Sequence, residues 1–209
     1  MLRNCYESKM SIEAIILAAG KGERLGRIKP LLMIDGRPAL ERIIETINAA
    51  WIDQIIVVLG YQATAIKRAV DLRHCCVVYN AEYTTGMAGS LRAGIAALSA
   101  EADGFLIMLA DMPFVEPATI SAVITTAIAE PGIVMPVYRN RPGFPIYINS
   151  HYIDDLLPTL KGDIGARKFI ASRSGDVTFV QVNDPGAIMD IDCEEDIAAA
   201  HSTARGERR

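Results

Sequence analysis

At 209 residues, with 51% hydrophobic and 22% charged side chains, the chain suits one globular domain with a sizeable core. A net charge of −4 argues against a nucleic-acid or anionic-membrane partner, and no apolar run approaches the roughly 20 residues that cross a bilayer. Cys5, Cys75, Cys76 and Cys193 form no C-x-x-C pair, which fits a reduced, cytoplasmic compartment.

The opening MLRNCYESKM scatters its charges and has no apolar h-region, so residues 1–10 read as a frayed tail rather than a signal peptide. The closing ARGERR, residues 204–209, reads as a second tail, leaving residues 11–203 as a single domain. The first predicted strand is Ile12–Ala18. Directly behind it, glycines are crowded with Lys21, Arg24, Arg27 and Lys29, a basic cluster within an acidic protein. Gly20 and Gly22 permit a tight turn with exposed amides, Arg24 can fork two donors onto phosphate oxygens, and Lys21 and Lys29 are mobile point charges. Two uses fit this loop: a cradle for a triphosphate, or a surface turn with solvated cations. The G-x-x-x-x-G-K-[ST] phosphate loop fails at Arg27–Ile28, and the spacing of Gly20, Gly22 and Gly26 breaks the G-x-G-x-x-G dinucleotide fingerprint.

Further along, apolar periodicity predicts helices over Ala39–Ala50 and Ala63–Val70 and strands over Gln54–Leu59 and Cys75–Tyr79. Cys75 and Cys76 should point to opposite faces, which disfavours a shared metal. TTGMAGSLRAGI leads into a helix over Ser90–Leu98, where Ser90 is either a helix N-cap or a hydroxyl available to a ligand. A strand over Phe105–Leu109 precedes Asp111, whose carboxylate either caps the turn before Pro113 or faces a ligand and its cation. Helices follow over Ala118–Ala129, Ile153–Leu157, Ile164–Ser172 and Glu194–Ser202, and strands over Ile133–Val137, Pro145–Asn149 and Val177–Val182. RPGFPIYIN and LKGDIGARKFI are expected to form the far wall of the ligand crevice, with Asp163 either capping a helix or facing substrate. In MDIDCEEDI, Asp190 and Asp192 alternate on one side of an extended segment, while Asp192 with Glu195 also reads as a capping box. His74, His151 and His201 have no ligand spacing, and Trp51 reads as a packing residue. Strand–helix alternation with doubly buried runs such as IIVV predicts a three-layer α/β domain that binds ligands beyond the carboxyl ends of its strands.

LAAGKGERLGRIKPLL, NAEYTTGMAGSLRAGI, LIMLADMPFV, GDIGAR and MDIDCEEDI occur in the order that resembles the MobA-like NTP transferase family, the first matching L-A-A-G-x-x-x-R-x-G-x-x-K. Among its branches the sequence is most similar to the molybdenum cofactor cytidylyltransferases. The resemblance implies a Rossmann-like, GT-A-like α/β/α fold with a mostly parallel mixed sheet, and transfer of a nucleotidyl group from a nucleoside triphosphate. It makes Lys29, Arg24 and Asp111 catalytic, and assigns Leu17, Ala18, Ala19, Gly20, Lys21, Gly22, Gly86 and Ser90 to the nucleotide. Asp163, Arg167 and Asp190 fall to the acceptor, and Asp111 with Asp192 to Mg²⁺ or Mn²⁺. CTP is the favoured nucleotide, since LAAG resembles the cytidylyl and uridylyl branches. The implied acceptor is a phosphorylated small molecule such as molybdopterin, with a molybdoenzyme or its maturation factor as the protein partner. Phe144 stands where the cytidylyltransferases typically have His, and Cys193–Glu194 where the family usually has Thr–Pro. Alternatives are a sugar- or polyol-phosphate acceptor, a dinucleotide-dependent oxidoreductase, or a non-catalytic nucleotide-binding maturation factor.

Overall fold

A computed structural model describes residues 10–22, 27–50, 52–191 and 196. Residues 1–9 and 204–209 of the predicted tails, Arg24, Trp51, Asp192, Cys193 and nearly all of the last predicted helix lie outside the described residues, whereas Met10, expected in the frayed tail, packs against the core. β1 (Ile12–Ala18) leads to a small hairpin, β2 (Met33–Ile34) and β3 (Arg37–Pro38), and then to α1 (Ala39–Asn48). Next come β4 (Gln54–Leu59), α2 (Ala63–Ala69), β5 (Cys76–Tyr79), α3 (Met87–Ile95) and β6 (Gly104–Leu109). The second half holds α4 (Pro117–Ala129), β7 (Ile133–Tyr138), β8 (Arg141–Pro142), β9 (Ile146–Asn149), α5 (Ile153–Leu156), α6 (Arg167–Ser172) and β10 (Val177–Gln181).

The main sheet has eight strands in the order β10-β7-β9-β6-β1-β4-β5, with β8 paired to β7. β1 is parallel to β4 and β6, while β9 is antiparallel to both β6 and β7. β1 is therefore central, and every one of its residues is buried. Its alternation divides the core. Ala14, Ile16 and Ala18 face Leu40, Ile43 and Ile47 of α1 with Ile120 and Val123 of α4. Ile15 and Leu17 face Leu91 and Ile95 of α3 with Phe169 of α6. Helices on both faces of a mostly parallel sheet make the expected three layers. α1 buries Ala39, Leu40, Ile43, Ile44 and Ile47, the i, i+4, i+7 stripe of a helix on a sheet. Among the described residues no helix is long and apolar enough to cross a membrane.

Two buried carboxylates secure this frame. Glu13 in β1 accepts from Gln54 Nε2 at 3.2 Å and from the Ser99 amide at 3.2 Å. Asp184 accepts from the Glu116 amide at 2.9 Å, Thr119 Oγ1 at 2.7 Å and its own near neighbour, the Gly186 amide, at 2.8 Å. It thereby ties the start of α4 to the chain after β10.

Candidate active site

A cleft of about 770 Å³ opens at the carboxyl ends of β1 and β6. β1 ends at Ala18, and the chain turns over Ala19–Gly22 along one side of the cleft. The Ala19 carbonyl accepts from the Tyr61 amide at 3.1 Å, anchoring the turn to the end of β4. Gly22 has φ +61°, and a Cβ there would lie 2.6 Å from the Arg27 carbonyl oxygen and 3.3 Å from Lys29 Cγ. Only glycine lets the returning chain pass this close and bring Lys29 beside the turn. Pro30, in the first turn of a 3-10 segment over Lys29–Leu31, then fixes the direction of the backbone.

Lys29 Nζ donates to Asp111 Oδ2 at 3.0 Å, with the side chains 16% and 24% exposed. The other oxygen, Asp111 Oδ1, is buried with no hydrogen-bond partner among the described residues. A buried anionic oxygen lacking a donor is costly, and its hard-donor chemistry fits a divalent cation that completes its shell with phosphates and water. The chain at residues 189–191 comes alongside because the Ile191 amide donates to the Asp111 carbonyl at 2.8 Å. Ile191 is buried against Leu32, Ile34 and Ala39. Its neighbour Asp190 lines the cleft, as alternation along an extended segment predicts.

The opposite side is the start of α3. Gly86 has φ +108°, and a Cβ there would lie 2.5 Å from the Gly162 carbonyl oxygen. The Ala88 amide donates to that same carbonyl at 3.0 Å, and the Met87 amide donates to Asp163 Oδ1 at 3.0 Å. Asp163 therefore caps α3, 76 residues away, rather than the helix that follows it. Asp163 and Arg167 both line the cleft. Ser90 lies inside α3 and is 4% exposed, with Asn80 Nδ2 donating to its Oγ at 3.0 Å.

The cleft thus brings together Leu17 to Gly22, Lys29, Gly86, Ser90, Asp111, Asp163, Arg167 and Asp190. Several expectations need correction. α3 begins at Met87, so Ser90 is no N-cap: the left-handed Gly86 and the remote Asp163 start the helix three residues earlier. α6 begins at Arg167 rather than Ile164, because Gly165, at φ +52°, interrupts the helical path. Asp111 does not cap the turn before Pro113; its described contact is Lys29. Gly143–Phe144–Pro145 is not part of the cleft lining. That segment is drawn inward by the Gly143 amide on the Pro136 carbonyl (2.9 Å) and the Phe144 amide on the Ala187 carbonyl (2.7 Å), and Phe144 packs against the apolar core on both sheet faces. Tyr83, Thr85 and Met87 line the cleft without having been singled out. Their signal was an aromatic and a hydroxyl beside Gly86 in the stretch already under attention.

The sequence matches the MobA-like NTP transferase domain over residues 14–177. It is 30% identical to nicotine blue oxidoreductase of Paenarthrobacter nicotinovorans, over 88% of this chain and 93% of that protein. It is 24% identical to molybdenum cofactor cytidylyltransferase of Escherichia coli K12, over 91% of this chain and 95% of that one. The crystal structure of Rv0371c from Mycobacterium tuberculosis H37Rv superposes with a TM-score of 0.80 at 30% identity, covering 91% of this chain and 97% of that one. A second structure of that protein, in complex with manganese, gives a TM-score of 0.79 at 28% identity over 93% of this chain and 100% of that one.

Proposed function

The chain belongs to the MobA-like NTP transferase family, and from that premise we propose that it transfers CMP from CTP to a phosphorylated small-molecule acceptor, with molybdopterin the first candidate. The observation that carries this reading is the convergence of a glycine turn, Lys29, Asp111 and the Asp163–Arg167 wall on one cleft. The similarity to the cytidylyltransferase of E. coli and the alanine at position 19 support the choice of CTP and acceptor.

In this reaction an acceptor phosphate oxygen attacks the α-phosphorus in line. A new P–O bond forms as the α–β bridging bond breaks, and pyrophosphate leaves with the electron pair. Lys29 stabilises charge on the α-phosphoryl oxygens, while Lys21, Arg24 and the amides of Gly20 and Gly22 hold the β- and γ-phosphates. Arg167 grips the acceptor phosphate. That phosphate is ionised at neutral pH, so positioning replaces a general base. Asp111, with Asp192 beside Asp190 in sequence, would hold Mg²⁺ or Mn²⁺, which when bound offsets phosphate charge and fixes phosphate geometry.

Pyrophosphate release with CTP, UTP, GTP and ATP, across molybdopterin, sugar-phosphates and polyol-phosphates, tests the reading. Release with CTP and one acceptor is expected; no release with any pair overturns it. A second reading rests on the 30% identity to an oxidoreductase, in which the cleft would take a redox dinucleotide. Acceptor-dependent loss of NAD(P)H absorbance would favour it. The broken glycine spacing and the cation cluster support the transferase.

A further inference from the structure

We propose that Asn80 is a positioning residue that sets the hydrogen-bonding polarity of the nucleobase end of the cleft by holding the Ser90 hydroxyl as a donor. This deepens the transferase reading and rests on it. Asn80 follows β5 at its carboxyl end, and its own amide donates to the Leu59 carbonyl at 2.8 Å, so its backbone is fixed by the sheet. Its side chain is buried, with 8% of the residue exposed, and both ends of the carboxamide are engaged. Oδ1 accepts from the Glu82 amide at 3.0 Å, and Nδ2 donates to Ser90 Oγ at 3.0 Å.

The direction of these bonds follows from chemistry. A backbone N–H only donates, so the atom facing Glu82 is the oxygen and the atom facing Ser90 is the NH₂. Reversing the amide would set two donors against each other. Ser90 Oγ must therefore accept, which turns its own proton elsewhere. Other hydroxyls of this chain return that proton to the carbonyl four residues back, as Thr46 does to Arg42 and Thr126 to Ala122. Among the described residues Ser90 makes no such bond, and it lines the cleft. A nearly buried hydroxyl with a directed, uncommitted proton selects an acceptor: a ring nitrogen or carbonyl of the base, rather than an amino group. Cytosine offers N3 and O2 as adjacent acceptors.

The test is equilibrium binding of CTP, 3-deaza-CTP and 2-thio-CTP to the full-length protein. The wild type should lose about tenfold in affinity for at least one analogue, the scale of one neutral hydrogen bond to a buried donor. Ser90→Ala should erase that difference. Asn80→Asp, which presents an acceptor to Ser90 and claims its proton, should erase it too, with the thermal melt confirming a folded chain. Adding Asn80→Asp to Ser90→Ala should change discrimination no further. Should Asn80→Asp fail to fold, Asn80→Ser must show the same loss, because its hydroxyl no longer fixes the direction. Wild-type discrimination retained in a folded Asn80 variant overturns the inference while leaving the transferase reading intact. Failure of the wild type to bind CTP overturns both.

Discussion

Lys29 Nζ lies 3.0 Å from Asp111 Oδ2, a bond between residues 82 positions apart that joins the loop behind β1 to the end of β6. Under the proposed function these groups have different duties, so their substitutions should fail differently. Lys29→Ala should lower kcat about 10²–10³-fold, the scale of losing one preorganised charge at a transition state. CTP affinity should change by less than about fivefold, since the rest of the loop still holds the tail phosphates. Pyrophosphate-release kinetics beside a CTP titration decide it, and parallel losses would count against a role at the α-phosphate.

Asp111→Asn keeps the shape of the side chain and removes its charge. The Mg²⁺ concentration for half-maximal activity should rise at least about tenfold, because hard divalent cations depend on ionised oxygen ligands. A metal titration identical to that of the wild type would take Asp111 out of the metal site.

Gly86→Ala forces a Cβ to within 2.5 Å of the Gly162 carbonyl oxygen at a φ of +108°. Both faults act together, and a loss of about 3 kcal/mol, roughly 6–12 °C in Tm, is expected. Gly20→Ala is the contrast, because nothing lies within 4 Å of its Cβ. Its Tm should stay within about 2 °C of the wild type, and its CTP affinity should fall about tenfold if the turn closes on phosphate. Thermal melts with a nucleotide titration separate the two.

Asp184→Ala leaves the Glu116 amide, Thr119 hydroxyl and Gly186 amide without their acceptor. A destabilisation of about 3 kcal/mol should appear in urea unfolding. The folded fraction should keep its kcat, since Asp184 does not line the cleft.

Burial, with the Asp71 and Cys76 charges, pushes the Cys75 thiol above its ordinary value, whereas the neighbouring Cys76 is exposed. Iodoacetamide labelling at pH 8 followed by peptide mapping should therefore modify Cys76 well before Cys75. Equal rates would contradict the placement of the two side chains.

Much of the frame was legible because its signals are local. The uninterrupted apolar runs of β1 and β4 have the predicted bounds, and α1 begins at the predicted Ala39. What escaped is held by partners distant in sequence. No pattern near Ser90 announces that Asp163 will cap the helix, so the serine was the natural candidate for the helix start. Asp184, which secures α4 from 65 residues beyond Thr119, was invisible for the same reason. β2, β3 and β8 are two residues long and too short to express a period. The lining of the cleft was easier to anticipate, since Gly20, Gly22 and Asp111 follow closely on strand ends and Lys29 returns beside the glycine turn. Phe144 shows the limit: its place in the motif suggested a ligand wall, but an apolar ring gains more from the core than from a polar cleft.

The two bonds from the start of α3 to Gly162 and Asp163 join segments 76 residues apart into one wall of the cleft. With Gly86 pressed on the Gly162 backbone, there is no slack between them. Gly86 and the loop leading to Arg167 therefore hold their places jointly, and neither segment can be rebuilt without giving up the contacts that fix the other.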